Sequence, residues 1–284
     1  MRKTYIPIIL TTLLVVSNIY LWSSISNSKS NLLKVSFLDV GQGDSIFIEA
    51  PNGVQMIIDG GKGKSVLTEL GKVMSSYDKE IDILVATHPD ADHIEGLMKV
   101  LENFNIKNIV VNGDKGDTVL SERFNRIAEE ENVLITEAAQ GMRIILDNAN
   151  NVYFDIFYPT SGIQSEDTNS LSIVGRLVYG SREFLLTGDA PFSVEQELIK
   201  WCKVCLSSDV LKAGHHGSKT STSKSFVASV SPLYSVISAG KDNSYGHPHS
   251  SVLETLKSQN ILVLGTYASG TIVFETNGES LNLR

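Results

Sequence analysis

The chain has 284 residues, 42% hydrophobic and 20% charged, which is enough for one core of roughly 250 residues and a short extension. Its formal charge is −8, two units more negative once Arg2 and Lys3 are set aside. An acidic balance of this size excludes a protein that holds nucleic acid through an overall basic surface. Only a local basic rim is left, and Lys62, Lys64, Lys212, Lys219, Lys224 and Lys241 lie beside the motifs described below. Otherwise these lysines read as solvated loop residues.

Arg2 and Lys3 precede a charge-free run from Tyr5 to Trp22, nearly long enough to cross about 30 Å of hydrocarbon as a helix. The run reads as an uncleaved, single-pass anchor in the cell membrane. Cations on its short N-terminal flank favour keeping that side in the cytoplasm, which puts the bulk of the chain outside. A cleaved signal peptide ending near Ser24-Ile25-Ser26, and so a secreted product, is the competing expectation. Ser23 to Ser30 then forms a tether, and the chain divides into an anchor and tether at 1–30 and a globular domain at 31–284.

Strands are expected over Leu33–Asp39, Ser45–Ala50 and Val54–Asp59, with Pro51-Asn52-Gly53 turning a hairpin. A helix over Ser65–Ser76, with Ser65 as its cap, leads to a strand over Ile81–Ala86 and a helix over Ile94–Phe104. Strand, helix and two strands follow at Lys107–Val111, Thr118–Glu130, Val133–Glu137 and Met142–Leu146. Three more strands are expected at Val152–Tyr158, Ser170–Tyr179 and Glu183–Thr187, then a helix over Phe192–Trp201. Cys202 and Cys205 close that helix rather than open it, so a thiol at a helix N-terminus is excluded and a local disulfide or free thiols remain. Asp209–Ala213, Tyr234–Ser238, Ile261–Leu264, Thr271–Glu275 and Leu281–Leu283 complete the strands, with helices at Ser223–Val230 and Ser250–Gln259. Two mixed sheets packed face to face with helices outside would bury this pattern.

Thr87-His88-Pro89-Asp90-Ala91-Asp92-His93 puts two imidazoles and two carboxylates within six residues at a strand end, a density of ligand atoms that calls for a cation. Three other polar clusters follow apolar strands, at Asp59-Gly60-Gly61, Gly188-Asp189 and His215-His216-Gly217-Ser218. All six histidines fall in His88 to His93, in His215-His216, or in Tyr245-Gly246-His247-Pro248-His249. Asp189 leaves the core edge after Phe184-Leu185-Leu186-Thr187, and His215 does so after Leu211-Lys212-Ala213. His216 must point elsewhere than its neighbour, toward a supporting role, and Asp59 is expected to hydrogen-bond the cluster loop rather than ligate.

His88-x-Asp90-x-Asp92-His93 resembles the H-x-H-x-D-H signature of the metallo-β-lactamase superfamily. With Phe37-Leu38-Asp39-Val40-Gly41-Gln42-Gly43-Asp44-Ser45, Leu186-Thr187-Gly188-Asp189, Lys212 to Ser218 and Ser244 to Pro248, the chain resembles the extracellular hydrolase domain of ComEC-type competence proteins. The resemblance runs from about Leu33 to the end, but covers none of the multi-helix channel of such proteins. It implies an α/β fold, the four-layer αββα sandwich, and one or two divalent ions of Mn, Mg or Zn. Carried over by position, His88 and Asp90 would face one ion, Asp92, His93 and His215 the other, and Asp189 would bridge. Asp90 replaces the signature's second histidine and no histidine lies between His93 and His215, so the lactamase three-histidine site cannot form in the same way. That shifts the expectation toward harder ions.

The activity implied is a phosphodiesterase or nuclease acting on DNA outside the cytoplasmic membrane, linked to DNA uptake. Asp92 and Asp189 would serve its hydrolytic water, and His247 would contact phosphate or protonate the leaving oxygen. Ser218, Lys219 and Asn243 would bind neighbouring phosphates, with Asn169 a ligand or substrate contact. The alternatives are hydrolysis of another ester, such as a cell-wall phosphoester or lactone, and a DNA-binding module with weak catalysis.

Overall fold

A computed structural model describes residues 11–18, 31–114, 116–131 and 133–284. Residues 11–18 form an exposed helical segment, and the rest of the expected anchor lies outside the described residues. Among the described residues no helix is long and apolar enough to cross a membrane.

From Leu33 onward the chain runs β1 (Leu33–Phe37), β2 (Ile46–Glu49), β3 (Gln55–Ile58), α1 (Ser65–Val73), β4 (Glu80–Ala86), α2 (Ala91–Asn103), β5 (Asn105–Val111), α3 (Val119–Glu130) and β6 (Leu134–Glu137). The second half runs β7 (Arg143–Asp147), β8 (Val152–Tyr158), β9 (Val174–Tyr179), β10 (Arg182–Leu186), α4 (Phe192–Cys202), β11 (Val210–Lys212), α5 (Lys224–Val230), β12 (Tyr234–Ile237), α6 (Ser250–Ser258), β13 (Leu262–Gly265), α7 (Thr266–Ser269), β14 (Ile272–Thr276) and β15 (Leu281–Leu283). One sheet has the order β15-β14-β1-β2-β3-β4-β5-β6 and the other β13-β12-β11-β10-β9-β8-β7.

Alternation within the strands explains the layering. Val35, Phe37, Ile46, Ile48, Phe154, Phe184 and Phe274 turn inward and fill the space between the sheets. Phe47, Ile57 and Leu84 turn to the other face of the first sheet and pack on α1, α2 and α3 through Leu70, Leu97 and Phe124. Leu185, Leu211 and Ile237 do the same for the second sheet against Val194, Phe226 and Leu256 of α4, α5 and α6. The result is the expected four-layer αββα sandwich.

Local chemistry places most boundaries. Gly53, with φ 89°, and Asn52, whose Oδ1 accepts from Val54 N at 2.9 Å, close the β2–β3 hairpin. Thr118 caps α3 through a reciprocal pair with Ser121. Three expectations shift. Lys64, not Ser65, is the cap of α1. The strand expected from Ser170 begins at Val174, because Thr168–Leu171 forms a 3-10 turn. α2 begins at Ala91, three residues earlier than its apolar stripe suggests: Asp90, in extended backbone, holds the N-cap position, and its carbonyl accepts from His93 N and Ile94 N. Asp92 and His93 therefore lie in its first turn. Cys202 and Cys205 are joined as a disulfide at the end of α4.

α2 is pressed against the loop that follows β3. Gly96 N donates to Gly61 O at 2.9 Å and Gly60 N to His93 O at 2.8 Å. A Cβ on Gly96 would lie 1.8 Å from Gly60 O, so only glycine permits this approach. Gly96→Ala is expected to cost about 1–3 kcal/mol, or roughly 2–12 °C in Tm for a domain of this size. Thermal melting with an unchanged midpoint would refute the close-contact account.

Candidate metal centre

β3 runs parallel to β4, and β10, β11 and β12 run parallel to one another, so each set presents its C-terminal ends at one side. Asp59, Thr87 and His88 leave the first sheet there, and Gly188, Asp189 and the His215-His216 pair leave the second. Ligand sites of open α/β sheets form in this position because the chain must leave the sheet and turn.

Asp59 anchors the first sheet's contribution. Its Oδ1 accepts from Thr87 N at 2.9 Å, and its Oδ2 accepts from Thr87 Oγ1 at 2.7 Å and from His93 Nδ1 at 2.8 Å. With Nδ1 of His93 committed, Nε2 faces the site. The Thr87 hydroxyl, having donated to Asp59, accepts from His88 Nδ1 at 3.0 Å, which turns His88 Nε2 inward as well. Asp59 thus hydrogen-bonds both the cluster loop and a histidine.

His215 and His216 both adopt left-handed backbone, with φ 48° and 54°. Non-glycine residues seldom do so, and two in succession remove the up-down alternation of a strand. His216 is buried, with Nδ1 3.0 Å from the Ser238 carbonyl and Nε2 3.2 Å from Asp189 Oδ2 and 3.3 Å from Asp92 Oδ2. His215 is 28% exposed, and its Nε2 stands 3.7 Å from Asp189 Oδ2. The buried, inward imidazole is His216, and His215 sits at the mouth, the reverse of the roles expected for the pair.

Asp189 is central. Its Oδ2 also lies 3.4 Å from His93 Nε2. His88, His93 and Asp189 place ligand atoms within 4.8 Å of one another, and so do Asp92, His93 and His216. Asp90, 39% exposed, lies on the rim with Oδ2 3.8 Å from His88 Nε2 and Oδ1 accepting from Thr168 Oγ1 at 2.7 Å.

Electrostatics follow from this crowding. Burial alone would lower the pKa of His93 and of His216, but the carboxylates outweigh it. Asp189 and Asp59 hold His93 well above the usual histidine range, and Asp189 and Asp44 do the same for His216. His88 faces less negative charge, and burial together with His93 pushes it down to about 4. Burial raises Asp189 and Asp92, yet the same imidazoles more than offset this and keep both carboxyls below the usual range.

The donor set fits a divalent cation. His88 Nε2, His93 Nε2, His216 Nε2 and Asp189 Oδ1 are buried with no hydrogen-bond partner among the described residues. Proteins seldom leave such atoms unsatisfied, and a cation would satisfy those that converge.

The other expected residues divide. His247 stands at the mouth, its ring 5.8 Å from that of His215 and 6.4 Å from that of His216, with Nδ1 unpartnered. Burial, His216 and His215 lower its pKa. Asn243 spends both ends of its amide on its own loop: Nδ2 donates to the Gly240 and His247 carbonyls, and Oδ1 accepts from Tyr245 N and His247 N. It positions His247 and has no free atom for phosphate. Ser218 is buried, with Oγ 3.0 Å from Thr220 Oγ1, and Lys219 is exposed. Asn169 lies in the 3-10 turn beside Thr168, and its Oδ1 is buried with no hydrogen-bond partner among the described residues. His249 caps α6 through Ser251 N.

Asp44, quoted in a motif without a role, and Lys212, expected on the rim, are buried in the cluster. Lys212 is 0% exposed, not a solvated rim lysine, and its Nζ lies 2.5 Å from Asp44 Oδ2. Its place between Leu211 and Ala213, in a strand with no other polar residue, was the available signal.

The fold and this cluster define a metallohydrolase architecture, and the chain belongs to the metallo-β-lactamase superfamily, whose family model matches residues 38–241. Among curated proteins it is 34% identical over 258 residues to ComE operon protein 3 of Bacillus subtilis, covering 85% of this chain and 33% of that protein. It is 30% identical to the competence protein ComA of Neisseria gonorrhoeae (86% and 32%) and 29% identical to recombination protein 2 of Haemophilus influenzae (84% and 28%). The chain thus spans about a third of the length of these relatives. Among solved structures, CmlA, a diiron β-hydroxylase from Streptomyces venezuelae, superposes with a TM-score of 0.51 at 10% identity, over 81% of this chain and 52% of that one. At that identity the likeness is one of fold alone.

Proposed function

We propose that the chain is a metal-dependent phosphodiesterase that cuts DNA outside the cytoplasmic membrane, held there by its segment 5–22, and that it serves DNA uptake. The observation that carries the hydrolytic part is the convergence of three buried, unpartnered imidazole nitrogens on Asp189. The DNA part rests on the similarity to proteins named for competence and recombination.

His88, His93, His216, Asp92 and Asp189 would hold one or two divalent ions, with Asp90 and His215 at the rim. Such an ion supplies Lewis acidity toward phosphate oxygens and makes a water more acidic. Asp92 is 26% exposed at the mouth and stays ionised at neutral pH, so it can accept a hydrogen bond from the attacking water and orient it. His247, its pKa lowered, is neutral at pH 7. That suits it to hydrogen-bond a phosphate oxygen rather than to protonate a leaving group. Lys62, Lys64, Lys219 and Lys241 are exposed and would form the basic rim, while Lys212 takes no part in it.

The purified full chain, stripped of metal and resupplied with Mn²⁺, Mg²⁺ or Zn²⁺, is expected to degrade end-labelled single- or double-stranded DNA, and Asp92→Ala to lose the activity. Cleavage of bis-phenyl phosphates with DNA left intact would point instead to another ester. DNA binding without metal-stimulated cleavage would point to a binding module.

A further inference from the structure

The two inward imidazoles that flank Asp189 are oriented by different means. His93 is held by Asp59, and Asp59 is itself held by neutral donors, Thr87 N and Thr87 Oγ1. His216 has Asp44 Oδ1 3.2 Å from its Nδ1, beside the Ser238 carbonyl. Asp44 is buried, yet neither of its carboxylate oxygens takes a hydrogen bond from a neutral donor among the described residues. Its other neighbour is the Lys212 ammonium, 2.5 Å from Oδ2.

Lys212 has no solvent to fall back on. Its Nζ donates to the Gly188 carbonyl at 2.9 Å and lies 3.8 Å from Asp189 Oδ1. A buried ammonium is tolerated only when its donors are met and its charge is compensated. The Gly188 carbonyl accepts one of its protons, and the Asp44 and Asp189 carboxylates compensate its charge. Asp44 leaves the loop before β2 of the first sheet, whereas Gly188, Asp189 and Lys212 belong to the second. The pair therefore ties the two sheets together directly beneath the converging ligand atoms.

We infer that Lys212 is a positioning residue of the metal centre: through Asp44 it sets the ring of His216, and through the Gly188-Asp189 turn it sets the central carboxylate. Lys212 does for Asp44 what Thr87 does for Asp59, with a full charge in place of two neutral hydrogen bonds. The inference rests on the proposed metal-binding reading, but not on the identity of the substrate.

The test is Co²⁺ binding by the full chain without substrate, read by the visible d–d spectrum and by titration, with thermal melting of the metal-free protein alongside. Lys212→Met leaves the buried Asp44 carboxylate without its ammonium partner and with His216 beside it. It is expected to lower the melting point, weaken Co²⁺ about 10–100-fold and change the spectrum. The double variant Lys212→Met, Asp44→Asn removes the buried charge that has lost its lysine. It is expected to recover melting temperature while Co²⁺ binding stays weak, because His216 has lost its carboxylate. A purely structural ion pair predicts that affinity and spectrum return together with stability. Recovery of all three in the double variant, or wild-type Co²⁺ binding by Lys212→Met, would overturn the inference. Wild-type protein that takes up no Co²⁺ would instead remove the metal-dependent function on which it rests.

Discussion

His216→Ala is expected to empty the centre of metal and lower hydrolysis by about a thousandfold, whereas His215→Ala costs about tenfold or less. The difference follows from where the two rings point. His216 is buried with its Nδ1 at the Ser238 carbonyl and its Nε2 between Asp92 and Asp189, so removing it takes away a donor atom and leaves two carboxylates facing each other. His215 is partly exposed, 3.7 Å from Asp189, with Nδ1 3.5 Å from Thr220 Oγ1. Its loss would alter the mouth and leave the inner ligands standing. Metal content by mass spectrometry and kcat/KM on one phosphodiester substrate, measured for both variants, would decide the matter. Metal lost with His215 and retained without His216 would reverse the assignment.

That contrast also shows where reading the chain stops. The convergence of His88, Asp92, His93 and Asp189 was legible because His88 and Asp189 come just after apolar strands and the short spacing from His88 carries Asp92 and His93 to the same place. The two-sheet sandwich was legible because the strand pattern leaves inner and outer faces to bury. The choice between His215 and His216 was not. A strand that continued into the pair would have sent its first histidine inward, but left-handed backbone at both residues breaks that rule, and no residue type announces it. The Asp44–Lys212 pair was hidden for another reason. Its members come from different halves of the sandwich, and a lysine beside a glycine-rich loop looks solvated until the first sheet and its Asp44 loop cover it. Asn243 shows the opposite error, since an amide next to a histidine loop looks like a phosphate contact when in fact it folds that loop.

A second large effect is expected on stability. At a free metal concentration a thousand times Kd, a bound divalent ion adds about 4 kcal/mol, or roughly 8–16 °C in a domain of this size. The gap between loaded and metal-free protein should widen as pH rises from 6 to 8.5. In the metal-free protein His93 and His216 titrate well above their unfolded value of 6.5. The stability they contribute is therefore complete below about 6.5 and is lost as pH climbs through the raised folded values. A divalent ion requires both rings neutral, so it must displace those protons at low pH and meets less competition as they leave. His88 adds no competition in this window, because it is already neutral above about 4. Asp189 and Asp92 stay ionised throughout, their folded values lying below 3.8, so the stability they contribute is lost only in stronger acid. Melting curves with chelator and with metal at several pH values would measure the gap. A gap that stays constant or narrows toward pH 8.5 would mean that protons and metal do not compete for His93 and His216, and the metal would then have to sit elsewhere than at those two nitrogens.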